Sequence, residues 1–166
     1  MNVLEAIRTK RAVRQFTDQP LPDEAIRAIL NAGRRSQSSK NTQPWQFVAI
    51  RDKNTLKQLS ECGAYAGHLA GAALGVAILS PEPTGFDQGQ AAACMQLAAW
   101  DLGIGSCIAS IYEPDRAKAI LDVPSDLHFD ITLSFGYPVA PDQWRPTAVR
   151  PGGRKPFEEV VHWEKW

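Results

Sequence analysis

One domain of mixed helix and strand is what the chain predicts, on three grounds. Segments with helical and strand periodicity alternate along it, neither a repeat nor a composition shift divides it, and 166 residues with 44% apolar content suffice for a single core. A chain of this length buries about 70% of its unfolded surface. From alternation alone a parallel sheet is the usual expectation.

Val3, Leu4 and Ile7 recur at helical spacing, so the N-terminus reads as an amphipathic helix with a basic exit at Lys10 to Arg14. Pro22 suits a first helical position, Asp23 and Glu24 complement the helix dipole, and Ile26, Ile29 and Leu30 form one apolar face ending near Gly33. Ser36 to Gln43 has turn composition. Pro44 then introduces Trp45 to Ile50, an aromatic and branched run typical of a buried strand, with Trp45 read as core. A helix at 55–61, an Ala/Gly-rich segment of open assignment at 64–73 and a strand at 74–79 follow, the strand stopped by Pro81 and Pro83. Residues 87–102 carry apolar side chains on nearly every side, which predicts a buried helix with small residues that admit a second helix, a symmetry mate among the options. Gly103 and Gly105 end it, after which 106–111 reads as strand, 114–121 as helix and 129–135 as strand. The Pro-, Gly- and Arg-rich tail beyond Pro138 reads as an extended arm.

Eighteen basic against eighteen acidic residues give no net charge, which argues against a dedicated nucleic-acid binder or a polybasic membrane anchor. Cys62, Cys94 and Cys107 lack Cys-x-x-Cys spacing and no leader is apparent, so a reducing, cytoplasmic location is expected. The weakly polar run at 64–80 is interrupted by His68 and glycines and is too little apolar for a membrane span.

Two segments carry chemistry. Lys10, Arg11 and Arg14 make a basic cluster suited to a doubly charged phosphate, and the polar loop Ser38-Ser-Lys-Asn-Thr-Gln43 before Pro44-Trp45 suits the hydrogen-bonding edge of a ring system. Together they point to a flavin mononucleotide (FMN) site.

The order Lys10-Arg-Ala-Val-Arg-Gln-Phe16, Ser38 to Phe47, Leu102-Gly-Ile-Gly-Ser-Cys107, Phe135-Gly-Tyr-Pro138 and Arg154-Lys-Pro-Phe-Glu-Glu159 resembles the nitroreductase family of FMN-dependent oxidoreductases across nearly the whole chain. The resemblance implies an α+β fold with a mostly antiparallel central sheet flanked by helices. It also implies an intertwined homodimer with FMN between subunits, a single domain over 1–166, and an arm from about 139 to 166 that crosses to the partner, where Arg154 could serve the partner's flavin. The helix at 87–102 resembles the family's central interface helix.

By the same resemblance Lys10, Arg11, Ala12 and Arg14 form the phosphate segment, with Ala12 where the family usually has serine, and Arg154 adds a tail cation, with Gly152 where a further lysine is common. Ser38, Ser39 and Asn41 fall along the ring and ribityl side, Ser110 and Ile111 in the segment that offers backbone amides to the N5 edge, and His68 near the pyrimidine. The implied reaction is a ping-pong hydride transfer from NADH or NADPH to nitroaromatic, quinone or similar small acceptors. A specialised dehydrogenase or dehalogenase with another donor, or a flavin-binding protein with little turnover, is the alternative.

Cys107 reads as a small core residue, since no cation is evident beside it in the sequence. His68, His128 and His162 have no metal-ligand spacing, and no metal is expected. The connection Pro81 to Phe86 is short, implying an open site, and Phe86 and Tyr112 read as core more readily than as lids.

Overall fold

The computed structural model describes residues 1–83, 85–140 and 154–166. Four strands, β1 (Gln46–Ile50), β2 (Leu74–Ser80), β3 (Gly105–Ser110) and β4 (His128–Gly136), form one sheet in the order β1-β2-β4-β3. Every pairing is antiparallel, from Phe47 opposite Ile78 through Val76 opposite Leu133 to Ser106 opposite Phe135. The antiparallel sheet that the family resemblance implies is the one formed, in place of the parallel sheet that alternation alone would suggest. Spacing of apolar residues fixes what each segment is, but not the direction in which long connections return it.

β2 is buried at every residue because both faces of the sheet are covered. Its side chains alternate accordingly. Leu74, Val76 and Ile78 join Ile26, Ile29, Met95, Leu133 and Phe135 in one core, whereas Ala77 and Leu79 join Leu56, Leu59, Leu69 and Phe129 in the other. The first core is roofed by α2 (Asp23–Arg34) and α4 (Gly85–Asp101), the second by α3 (Lys53–Ser60) and α5 (Pro114–Ile120). A Cβ on Gly33 would stand 2.1 Å from Met95 Cε, so glycine is what lets α2 and α4 approach this closely. Trp45 is buried in the first core, as its sequence context indicates.

α1 (Val3–Thr9) packs on the far end of α4 through Ala6 and Thr9, with Trp100 Nε1 donating to Thr9 Oγ1 at 2.9 Å. Its apolar stripe is not buried. Val3, Leu4 and Ile7 all face out, Leu4 with 79% exposure. Within the single chain α4 is buried on one face only, which leaves open the part of its apolar surround that the sequence reading gave to a second helix. One face holds Ala91, Ala92, Met95 and Ala99 against the sheet, while Ala93 is exposed and Cys94, Leu97 and Ala98 are half-buried. Phe86 and Tyr112, read as core, are 80% and 60% exposed.

Residues 141–153, and Arg150, Gly152 and Gly153 with them, lie outside the described residues. Beyond them the tail forms a short helix, α6 (Phe157–Val160), with Phe157, Val160, Trp163 and Trp166 exposed.

Candidate functional site

The basic segment is held to the sheet by its backbone. Val13 N donates to Ser106 O at 2.9 Å and Ala12 bridges Ser106 in parallel, which extends the sheet beyond β3. Gly105 permits this approach, since a Cβ there would lie 2.6 Å from Val13 Cβ. Val13 is fully buried, so Ala12 and Arg14 on either side of it are turned outward.

Lys10 and Arg14 both act electrostatically on the Cys107 thiol, and Arg154, from the other end of the chain, acts on Lys10, so the three cations share one neighbourhood at the edge of β3. Among the described residues none of the three forms an ion pair. Burial holds the half-buried Lys10 below the ordinary lysine value; the neighbouring Cys107 works against this, and the Arg154 charge adds to it. A cation that is partly desolvated, faces like charge and has no carboxylate partner is suited to an incoming anion.

Arg11 is placed differently. Its guanidinium donates to the carbonyls of Arg8 and Lys10, both at 2.9 Å, and so closes the C-terminal end of α1. Of the four residues read as the phosphate segment, Lys10 and Arg14 bring charge to the cluster and Ala12 brings only backbone.

Cys107 is buried, and burial pushes its thiol up even though the charges of Arg14 and Lys10 pull the other way. Two cations therefore stand beside it where the sequence showed none, while its reading as a small core residue agrees with its burial, and the raised pKa keeps the thiol protonated. His68, beneath the same edge, is 8% exposed; its Nδ1 lies 2.7 Å from Ser134 Oγ, and its Nε2 is buried without a hydrogen-bond partner. Burial holds its pKa below the ordinary histidine value, a nearby Ile108 carbonyl opposes this, and the Arg14 charge reinforces it. A buried neutral imidazole follows, not a surface cation.

Along β3, Ile111 spends its amide on Asp130 O at 2.8 Å, so that amide does not face a ligand. This corrects the reading of Ile111 as a backbone donor, and the cause is the β4 ladder. Antiparallel alternation turns Ser106, Ile108 and Ser110 to the outer edge, where Ser106 receives Val13 and the Ser110 carbonyl faces Gly63. Ile108 lies between these two contacts, beside His68.

The polar loop sits elsewhere. Ser39 N donates to Asp87 Oδ2 at 3.3 Å in the first turn of α4, and Gln37 Nε2 donates to Gln90 Oε1 at 2.8 Å. Ser38 Oγ accepts from Gln43 N at 2.9 Å, closing the loop on itself. Lys40, Asn41 and Gln43 have φ of 52°, 55° and 48°, and non-glycine residues in that region cost about 1–2 kcal/mol each. Ser39 and Asn41 are exposed and Ser38 half-buried. Beside Gln43, a groove of about 520 Å³ opens between α2 and β1, lined by Arg27, Arg34, Trp45 and Phe47 among others.

The loop is thus at the Asp87 end of α4 and the cations are at the Trp100 end, thirteen residues and about 20 Å away along the helix axis. Sequence reasoning found both halves but not Asp87, which in the sequence is simply an acid suited to a helix N-terminus.

The chain is thus a three-layer α+β domain with a cluster of cations at one sheet edge and a polar loop at the opposite end of α4. The nitroreductase family pattern matches residues 7–72. A protein of Archaeoglobus fulgidus provisionally named NADH dehydrogenase/NAD(P)H nitroreductase is 31% identical, with 98% of either chain aligned. A protein of the same provisional name from Methanothermobacter thermautotrophicus is 29% identical over 100% of this chain and 88% of its own. Among solved structures, an FMN-dependent nitroreductase of Clostridium difficile R20291 superposes with a TM-score of 0.86 at 24% identity, covering 99% of this chain and all of that one, a likeness of fold. A provisionally assigned nitroreductase of Desulfovibrio desulfuricans in complex with FMN gives a TM-score of 0.80 at 27% identity, covering 100% of this chain and 99% of that one. The chain belongs to the nitroreductase family.

Proposed function

We propose that the protein is an FMN-dependent oxidoreductase, working as a homodimer, that passes reducing equivalents from NADH or NADPH to small acceptors such as nitroaromatics or quinones. The observation that carries this is the convergence of Lys10, Arg14 and Arg154, none of which forms an ion pair among the described residues. Those cations fit a doubly charged phosphate, and the orphaned Nε2 of His68 and the outward edge at Ile108 fit a polar ring beside it. When bound, FMN supplies the hydride chemistry at its N5 position, leaving the protein to bind, orient and set the field.

In this reading Lys10, Arg14 and Arg154 hold the phosphate. Ala12 contributes backbone where a hydroxyl is usual. Ser110 and Ile108 present the sheet edge, and His68 offers a neutral ring nitrogen. Ser38, Ser39 and Asn41 come from a second copy, because one chain keeps them about 20 Å from its own cations along α4. A two-fold pairing with antiparallel α4 helices would exchange the two ends. Exposed Phe86 and Ala93 with half-buried Leu97 on α4, and exposed Val3, Leu4 and Ile7 on α1, supply an apolar surface for it. Arg154 lies close enough to Lys10 of its own chain for their charges to interact, so here it is assigned to its own subunit's phosphate site. The short connection from β2 to α4 and the exposed Tyr112 leave an approach uncovered, which suits donor and acceptor entering in turn and broad acceptor choice.

The test is an anaerobic visible spectrum of the protein with FMN, before and after NADH or NADPH, on the wild type and on Leu97→Glu, with mass in solution measured alongside. Flavin bands that bleach with a nicotinamide in a dimeric wild type, and loss of dimer and flavin together in the variant, are expected. A wild type that binds no FMN, or a monomeric variant with wild-type FMN affinity, would overturn the proposal.

A further inference from the structure

Gln43 N to Ser38 Oγ, Asn41 N to Ser38 O and Thr42 N to Ser39 O close the polar loop only on itself. None of these bonds fixes where the loop stands against the rest of the fold. Among the described residues, the tie from its turn to another element is Ser39 N to Asp87 Oδ2, and the flanking ties from Ser36 and Gln37 both reach Gln90, one turn further along the same helix. Asp87 is 8% exposed and joins no ion pair among the described residues. A carboxylate withdrawn from solvent without a cation needs compensation from its surroundings; the Ser39 amide donates to this one, and the positive end of the α4 dipole favours its charge. Lys40, Asn41 and Gln43 are held at positive φ immediately beyond that tie. A strained turn persists only where its surroundings over-determine it.

We infer that Asp87 is a positioning residue: by holding the Ser39 amide it sets the pose of Ser38, Ser39 and Asn41, and so governs flavin retention without touching the cofactor. This rests on the flavin reading above. Asp87 belongs to the helix that also separates the two half-sites, so the frame that spaces them also orients one of them.

The test uses the full-length protein as wild type, Asp87→Ala and Asp87→Asn. Hydrogen exchange at amides 39–43 is measured without FMN, and FMN affinity by fluorescence titration. Asparagine keeps an oxygen that can accept from Ser39, whereas alanine does not. The expected result is exchange at Ser39 and its neighbours at least tenfold faster in Asp87→Ala, a matching fall in FMN affinity, and recovery of most of both in Asp87→Asn. Unchanged exchange in Asp87→Ala overturns the inference, as does faster exchange with FMN affinity intact. If Asp87→Ala does not fold, Asp87→Leu, of similar shape and without an acceptor, takes its place: faster exchange at 39–43 with weaker FMN binding supports the inference, and wild-type exchange overturns it. A wild type that binds no FMN refutes the flavin reading instead and removes flavin retention from the inference, while the exchange comparison still decides whether Asp87 sets the loop.

Discussion

Replacing Lys10 by methionine should make the cofactor-free protein more stable and the loaded protein weaker. Methionine keeps the unbranched stem and removes the charge. In the fold, burial and the Arg154 charge hold Lys10 below its ordinary pKa, so the unfolded chain binds its proton more readily than the native one does. Stability lost to this group is therefore fully lost below the folded pKa and is regained as pH rises through it toward about 10.4, the unfolded value. At neutral pH the methionine variant escapes that penalty and its Tm should rise. A charge-assisted hydrogen bond to a phosphate is worth about 1.5–3 kcal/mol, so the variant's Kd for FMN should rise by about 10- to 150-fold. Calorimetry without cofactor and fluorescence titration with FMN read the two arms. Riboflavin, which lacks the phosphate, serves as control and should bind both proteins alike. A lower Tm together with unchanged FMN affinity would refute the assignment of Lys10 to an anion site, and equal losses for FMN and riboflavin would mean that the ring side had been disturbed instead.

Gly105→Ala places a methyl 2.6 Å from Val13 Cβ, and overpacking of this kind costs about 1–3 kcal/mol; urea denaturation should show that loss, with FMN affinity falling as residues 10–14 lift from β3. The buried His68 has a depressed pKa, so its contribution is present above the unfolded value near about 6.5 and is lost as pH falls toward the folded one. His68→Gln should flatten the fall in stability as pH drops below about 6.5; an unaltered acid limb would contradict the buried neutral assignment.

Much of the fold was readable from period and punctuation. Pro44 before an aromatic run marks β1, Pro81 ends β2, and Gly103, at φ 74°, ends α4 where the sequence places a break. Less legible was anything set by contact between distant residues. Cys107 lies almost a hundred positions from Lys10 and Arg14, so their proximity leaves no trace in local spacing. Ile111 looks like any strand residue until the β4 register shows its amide occupied. Phe86 and Tyr112 are apolar, hence read as interior, but a single chain offers them, like the α1 stripe, no interior to enter. The Ser38 to Gln43 loop was recognisable by composition, whereas its left-handed turn and its tie to Asp87 are properties of the folded chain.

Separation of the polar loop from the cations by the length of α4 bears on how the gene can vary. If sites are assembled from two copies, a chain damaged at Asn41 and a chain damaged at Arg14 are complementary: paired with each other, they concentrate both lesions in one site and leave the second whole. Alleles broken at opposite ends of the helix would rescue one another in the same cell, and alleles broken at the same end would not.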